Sequence, residues 1–179
     1  MPGIHIFYPC ALAESVFTID YAALISLGYK GIIFDIDNTL VPHGKDSTPE
    51  VDALFEEIKA TGFKTVFLSN NSRERVERFN KNISSPFVSS AGKPIPKNFR
   101  KAAKLTGLDR KEIIYIGDQI FTDILGANLT GIDNILVKYI GYYDEGYKGK
   151  RRAAEAVILK RFHKNKRYPK ITNFEKQEG

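Results

Sequence analysis

Apolar residues occur along this chain in short continuous runs separated by amphipathic segments. Buried strands are predicted in GIIFDI, KTVFLSNN, EIIYIGDQ and DNILVKYI, with a further brief strand in PFVSS. These runs are continuous and do not alternate with polar residues, which is typical of strands covered on both faces of a parallel sheet.

Helical segments with recognisable ends lie between these strands. Asp20 is a candidate N-cap for a short helix that ends near Gly28. A clear second helix begins with Thr48 as its cap and Pro49 in its first turn, and it stops at Gly62. Further helices are predicted in SRERVERFNKN, PKNFRKAAKLTG and FTDILGANLTG.

The alternation of strands and helices predicts an α/β fold with a parallel sheet and helices on both faces. Crossover connections in such a sheet are right-handed, so the carboxyl ends of its strands share one edge. Asp35, Asp37, Ser69 and Asp118 each follow the end of a predicted strand. We therefore expect them to converge on one crevice, where ligands bind in open α/β sheets.

Composition and length indicate an ordinary globular chain. The sequence has 179 residues, of which 42% are hydrophobic and 27% charged, enough for one domain with a real core. Cys10 is the single cysteine, which fits a reducing compartment. No signal peptide or membrane-spanning run is visible, so a cytoplasmic location is expected.

The net charge of +6 is concentrated near the C-terminus. Residues 148–170 read KGKRRAAEAVILKRFHKNKRYPK, in which cations far outnumber acids. Such a segment favours polyanions, namely nucleic acid, anionic lipid or an acidic partner. A solvated, partly helical tail is the competing interpretation.

Asp35 and Asp37 are separated by one residue at a predicted strand end, where their charges repel each other. Two such carboxylates can divide labour, one attacking and the other carrying a proton. A cation must offset their repulsion, and oxygen ligands suit Mg²⁺, to which Asp118 adds a further carboxylate. A plain metal site or an acidic turn would also explain the pair alone.

Anion-binding groups follow at other strand ends. Ser69 and Asn70 precede a helix, where a hydroxyl and backbone N–H groups form an anion site. Lys93, in a loop, adds a positive charge for a transferring phosphoryl group. Each feature alone has an ordinary structural explanation, as a helix cap or a solvated side chain. Their combination at successive strand ends indicates phosphoryl transfer.

The segments DIDNTL, LSNN, GKP and GDQIFTD resemble, in order, the four motifs of the haloacid dehalogenase (HAD) superfamily of phosphatases. The resemblance spans residues 31–137 and implies a Rossmann-like fold. It implies that Asp35 attacks phosphorus to form an aspartyl-phosphate, and that Asp37 protonates the leaving group and then activates water. Mg²⁺ would be held by the Asp35 carboxylate, the Asp37 backbone carbonyl and Asp118.

The same resemblance assigns the remaining site residues. Ser69 and Lys93 would hold the phosphate oxygens, and Asn38 would offer a backbone N–H. Asp123 would support the metal site from outside the ligand set, through Lys93 or a metal-bound water.

No cap domain is expected, because the gaps between the motifs hold little beyond single helices. An uncapped site suits a phosphate presented on a large partner, although closure by a neighbouring subunit is a competing explanation. The finer similarity is to the subclass IIIA, YqeG-type branch, which includes phosphatidylglycerophosphate phosphatases. It implies conversion of phosphatidylglycerophosphate to phosphatidylglycerol, with the basic tail docking on an anionic membrane surface.

The predicted organisation is an N-terminal extension packed on the core (1–30), a HAD-like core (31–140) and a basic, partly helical C-terminal segment (141–179). Two alternative functions stay open. One is a phosphatase for a soluble sugar phosphate or nucleotide, closed by oligomerisation. The other is a non-catalytic nucleic-acid-binding protein, which the lack of any recognised binding motif disfavours.

Overall fold

A parallel sheet of six strands forms the centre of the protein, as the computed structural model shows for residues 3–141 and 150–176. The strands are β1 (Ala11–Ala13), β2 (Gly31–Phe34), β3 (Lys64–Leu68), β4 (Phe87–Val88), β5 (Ile113–Gly117) and β6 (Asp133–Val137). Their order is β1-β6-β5-β2-β3-β4, and every neighbouring pair is parallel. The predicted α/β fold is confirmed.

In the two described ranges, six α-helices connect or follow the strands. They are α1 (Tyr21–Ser26), α2 (Pro49–Ala60), α3 (Arg73–Phe79), α4 (Pro96–Thr106), α5 (Leu125–Thr130) and α6 (Lys150–Phe162). The predicted caps are confirmed: Asp20 accepts a hydrogen bond from the N–H of Ala23 at 3.0 Å, and Thr48 accepts one from Val51 at 3.4 Å. A π-helical turn, Ile120–Ile124, runs directly into α5.

Successive residues of a strand point to opposite sides of the sheet, so these continuous apolar strands have an apolar surface on both faces. Helices cover each of these faces. Ile32 and Phe34 of β2 join a fully buried cluster with residues of α1, α2 and α3. Ile33, between them, belongs to a second buried cluster with Phe99 of α4 and Ala127 of α5. Within the described residues, the connections from β2 to β6 contain no additional lid domain.

Strand β1 was not predicted, because three residues are too few to display a period. Ala11 pairs with Ile135, so β1 extends the sheet beyond β6. Residues near the C-terminus pack beside it, as the N–H of Lys170 donates to the carbonyl of Cys10 at 2.8 Å and the N–H of Asp20 donates to Phe174 at 2.7 Å. The two ends of the described chain therefore lie together.

The basic segment predicted for 141–179 contains α6, while its residues 142–149 and 177–179 lie outside the described range. Ile158 and Phe162 of α6 are buried in a third apolar cluster, whereas Val157 is 55% exposed. Part of the apolar run thus packs the helix onto the domain. In the described ranges, no helix combines the length and apolar character needed to cross a bilayer.

Helices α4 and α5 approach each other closely at Gly126. A Cβ atom added there would lie 2.2 Å from the ring of Phe99. Since the ring is fully buried, it has no free space into which to move.

We expect Gly126→Ala to lower the free energy of unfolding by about 1–3 kcal/mol, because one extra carbon overpacks this contact. Urea denaturation measures the effect. Leu129→Ala, on the exposed side of the same helix, is the control and should change stability less. Equal losses for the two variants would contradict the packing explanation.

Candidate active site

Three neighbouring strands deliver the predicted residues to one edge of the sheet. Asp35 follows β2, Ser69 follows β3 and Asp118 follows β5. Because β2 lies between β3 and β5, Asp35 occupies the middle of this arrangement. All three residues are buried, with relative exposures of 5%, 1% and 2%.

Lys93 joins two of the carboxylates. Its Nζ atom lies 2.5 Å from Oδ1 of Asp35, 2.7 Å from Oδ1 of Asp123 and 3.2 Å from the hydroxyl of Tyr115. The Tyr115 hydroxyl donates in turn to Asp123 at 2.7 Å. Asp123 therefore contacts Lys93 directly, and the lysine ammonium is held against Asp35.

Oxygen atoms of Asp35, Asp118 and Asp123 lie within 4.8 Å of one another. Three buried carboxylates at this spacing form an oxygen-only donor set, which suits a hard divalent cation. The hydroxyl of Thr39 lies 3.4 Å from both Asp35 and Asp118. The cluster therefore fits a divalent metal ion.

The electrostatics of the cluster support the same conclusion. Burial raises the pKa of Asp35 to about 6; Lys93 opposes this shift, and the charge of Asp123 adds to it. Burial and the charges of Asp123 and Asp35 raise the pKa of Asp118 to about 8, against the opposing effect of Arg152. Burial alone would lower the pKa of Lys93, but Asp123 and Asp35 raise it above its usual value. The raised pKa values show that the protein neighbours of Asp35 and Asp118 do not fully offset the cost of burying these carboxylates in ionised form.

Gly117 allows Asp123 to approach the backbone. A Cβ atom at Gly117 would lie 2.7 Å from the carboxyl carbon of Asp123. Asp123 also accepts a hydrogen bond from the N–H of Gln119 at 3.0 Å, so the turn after β5 closes around its carboxylate.

Asp37 lies beside this cluster and is bound by other partners. Its Oδ2 atom is 2.9 Å from the Asn71 amide and 2.9 Å from Nδ1 of His43. Its Oδ1 atom accepts a hydrogen bond from Arg75 at 3.2 Å. These partners hold the carboxylate beside the cluster, where its side chain is 13% exposed.

The structure differs from the sequence-based expectation for Asn38. Its backbone adopts the left-handed conformation, with φ of 62°, which asparagine tolerates better than most residues. In this turn its N–H donates to the carbonyl of Val41 at 2.7 Å. That N–H is therefore engaged within the loop and is not directed at a phosphate.

Ser69 and Asn70 follow β3 but have different surroundings. The Ser69 hydroxyl accepts hydrogen bonds from Asn71, from its N–H at 3.2 Å and from its side-chain amide at 3.0 Å. The side chain of Asn70 accepts a hydrogen bond from the N–H of Lys93 at 2.8 Å and so fixes the lysine loop.

Helix α6 contributes to the site, which the sequence did not predict. Arg152 donates to Oδ2 of Asp118 at 2.6 Å and to the carbonyl of Asp118 at 2.8 Å. Glu155 accepts a hydrogen bond from Arg152 at 2.7 Å and one from the N–H of Ile120 at 2.9 Å. This pair ties the C-terminal helix to the loop after β5.

Other contributors also escaped the sequence reasoning. Tyr115 lies inside a strand and Arg75 inside a charged helix, so each has an ordinary structural explanation. Asn71 could have been found from the sequence, because it is the second asparagine of LSNN. Ser69 and Asn70 of the same motif were predicted as phosphate-binding residues.

Comparison with known proteins places this geometry in a family. Residues 43–131 match the family described as haloacid dehalogenase-like hydrolase. The chain is 36% identical over 154 residues to a protein of Bacillus subtilis (strain 168) named probable phosphatase YqeG, covering 86% of this chain and 90% of the relative.

Two further relatives carry names that specify substrates. Phosphatidylglycerophosphate phosphatase 1, chloroplastic/mitochondrial, from Arabidopsis thaliana is 26% identical, covering 80% of this chain and 44% of that protein. Glyceraldehyde 3-phosphate phosphatase from Pyrococcus abyssi (strain GE5 / Orsay) is 32% identical, covering 65% of this chain and 38% of that protein.

The parallel sheet, the acidic cluster at its carboxyl edge and the lysine between two aspartates agree with these similarities. A phosphatase assignment also removes the non-catalytic nucleic-acid-binding alternative. The chain belongs to the haloacid dehalogenase-like hydrolases and is a phosphatase of the YqeG type.

Proposed function

We propose that this phosphatase is Mg²⁺-dependent, works through an aspartyl-phosphate on Asp35 and removes the terminal phosphate of phosphatidylglycerophosphate. The observation that carries the chemistry is the contact of 2.5 Å between Lys93 and one oxygen of the buried Asp35 carboxylate. This contact orients the carboxylate at the sheet edge and keeps a positive charge beside the place where phosphate would bind.

In the first step, a carboxylate oxygen of Asp35 attacks phosphorus. The new oxygen–phosphorus bond forms as the bond from phosphorus to the substrate oxygen breaks. Asp37 gives its proton to that leaving oxygen. The products of this step are the alcohol and the phosphorylated Asp35.

In the second step, a water molecule attacks the same phosphorus. Asp37, now ionised, takes a proton from the water, and the bond between phosphorus and Asp35 breaks to release inorganic phosphate. The position of Asp37 beside the cluster, held by Asn71 and Arg75, suits a group that exchanges protons with both substrate and water.

Asp35, the backbone carbonyl of Asp37 and Asp118 would hold the Mg²⁺ ion. When bound, the ion supplies positive charge that stabilises the transferring phosphoryl group. Ser69, Asn70 and Lys93 would bind the phosphate oxygens. Asn38 has no part in this proposal, since its N–H is already donated to Val41.

Asp123 would act by positioning Lys93. It accepts from the ammonium at 2.7 Å and from Tyr115 at 2.7 Å, so the lysine has a fixed partner whether or not Asp35 is phosphorylated. Its carboxylate therefore stabilises the lysine charge throughout the cycle.

The lipid substrate is supported by the name of the Arabidopsis relative and by the charge of α6 and the residues after it. Exposed cations in this segment include Arg151, Lys160, Lys164 and Arg167. Each cation near an anionic membrane surface contributes about 1 kcal/mol to binding. Peripheral attachment would bring the uncapped site to a phosphate on a lipid head group.

A soluble phosphomonoester is the second candidate substrate class, with the site closed by oligomerisation. The specific observation in its favour is the similarity to the Pyrococcus protein named glyceraldehyde 3-phosphate phosphatase. The two candidates share the chemistry at Asp35 and differ in what the site must recognise beyond the phosphate.

Asp35→Asn should lower turnover by at least about 10³-fold, because the amide lacks the nucleophilic charge at nearly unchanged volume. Phosphate release measures the loss of turnover. Acid-stable labelling of the protein by ³²P-substrate measures the loss of the aspartyl-phosphate. Glu56→Gln, at a carboxylate that is 74% exposed on α2, is the matched control and should retain both signals. Appreciable activity in Asp35→Asn would exclude this residue as the nucleophile.

Mg²⁺ should raise the melting temperature more at about pH 8 than at about pH 5. Folding raises the pKa of Asp35 to about 6 and of Asp118 to about 8, above the unfolded value of about 3.9. Their contribution to stability is complete below the unfolded pKa and is lost as pH rises through the folded pKa. A bound cation therefore compensates most where the carboxyls are ionised.

Thermal unfolding with saturating MgCl₂ and with EDTA measures this difference, which should reach several degrees at the higher pH, since about 1 kcal/mol corresponds to roughly 2–4 °C. Asp118→Asn removes one of the charges and should reduce the Mg²⁺ effect. An equal shift at both pH values, or in both proteins, would contradict a metal site at this cluster.

Wild-type protein should release phosphate from phosphatidylglycerophosphate in mixed micelles with a kcat/KM at least about tenfold above that for glyceraldehyde 3-phosphate, a sugar phosphate and a nucleotide. Anionic lipid in the micelles should increase the rate, because of the cations of α6. Activity confined to the soluble esters would retain the chemistry and reject the lipid substrate.

A further inference from the structure

A cavity of about 820 Å³ lies between α6 and the β1–β6 edge of the sheet. Its volume is within the range of roughly 300–1,000 Å³ that is usual for small-molecule sites. The walls are mainly apolar and include Leu12, Leu136, Val137, Ala153, Ala156 and Leu159. None of the steps proposed above uses these residues.

The cavity shares two residues with the candidate active site. Asp118, a member of the acidic cluster, also lines the cavity, and so does Arg152, which binds Asp118 at 2.6 Å. Strand β6 lies directly beside β5, so the carboxyl ends that carry Asp118 and Lys138 are neighbours at the same sheet edge. A molecule with its phosphate at Asp35 therefore has an apolar space adjoining it.

Helix α6 forms one wall with small side chains. Ala153 and Ala156 are three positions apart, which places them on one face of the helix, and both are exposed. The same helix also carries the exposed cations Lys150, Arg151 and Lys160. One helix thus combines small apolar side chains that line the cavity with exposed positive charges, which matches an anionic amphiphile.

The charges that face the cavity are largely matched. Arg152 pairs with Asp118 and Glu155, and Lys138 pairs with Glu14 at the rim. The space between them is therefore suited to an uncharged, apolar group.

We infer that this cavity binds the acyl-bearing glycerol portion of the lipid whose terminal phosphate reacts at Asp35, an inference that rests on the lipid substrate proposed above. The occupant enters from a membrane or micelle that the cations of α6 contact. In this arrangement α6 takes over substrate recognition in a phosphatase whose described residues include no separate lid.

The test compares short-chain phosphatidylglycerophosphate, dissolved as monomers, with its deacylated head group, which has the same phosphates and no acyl chains. Ala156→Trp fills the cavity from an exposed position. Ala154→Trp makes the same change on the same helix at an exposed residue outside the cavity. Point variants are preferable to truncation, since removal of α6 also removes Arg152 and Glu155 from the site.

We expect wild-type protein and Ala154→Trp to favour the acylated substrate by at least about tenfold in kcat/KM, because several methylene groups are buried. Ala156→Trp should lose this preference while hydrolysing the head group within about twofold of wild type. Equal kcat/KM for the two substrates in wild type, or an unchanged preference in Ala156→Trp, would overturn the cavity assignment and leave phosphatidylglycerophosphate as substrate.

Two other results separate the remaining explanations. If wild type cleaves neither compound but is active on another phosphomonoester, the lipid substrate and the cavity assignment fail together. If Ala156→Trp converts a dimer to a monomer in sedimentation velocity and lowers activity on both compounds equally, the cavity holds a second copy of the chain, and the lipid assignment is overturned.

Discussion

The site depends on one electrostatic constraint, which is the burial of three carboxylates at the carboxyl edge of the sheet. Asp35, Asp118 and Asp123 lie too close together to remain ionised without positive charge. Lys93 offsets part of the repulsion by contacting two of them, and Arg152 contacts the third. The three carboxylates remain an oxygen-only donor set of the kind that suits a divalent cation. The carboxylates that are costly to bury therefore also form the group of residues best suited to hold a metal ion.

Much of this arrangement was predictable, because it is encoded locally. Continuous apolar runs predicted the buried strands, and residues directly after a strand must lie at the sheet edge, which located Asp35, Ser69 and Asp118. The resemblance in four ordered motifs then added a family, and with it the expectation that Asp123 acts through Lys93 or a metal-bound water; the structure has the contact with Lys93. Strand β1 was not predicted because it is short and because its strand conformation depends on pairing with β6, which is distant in sequence.

The unpredicted contacts are those made by distant parts of the chain or by local backbone geometry. Arg152 reaches Asp118 across 34 residues, and nothing near it in a basic run distinguishes it from its exposed neighbours. Arg75 is similarly one of several charged residues in α3, and its contact with Asp37 is visible only in the folded structure. The N–H of Asn38 was assigned to phosphate, but the turn that follows directs it to Val41. Sequence motifs therefore located the residues at the sheet edge better than the residues that hold them.

The pairing of β1 with β6 limits when this edge of the sheet can form during synthesis. Cys10 bonds to Asn134, which is 124 residues later, and at ribosomal rates of about 5–20 residues per second this partner follows after roughly 6–25 s. For that interval the N-terminal strand has no sheet edge to join, and its apolar surface is available to chaperones or to misassociation. Glu155 is translated later still, and the loop that carries Asp118 lacks its anchor until then. The contacts that Arg152 and Glu155 make with the loop after β5 therefore form only after α6 has been translated.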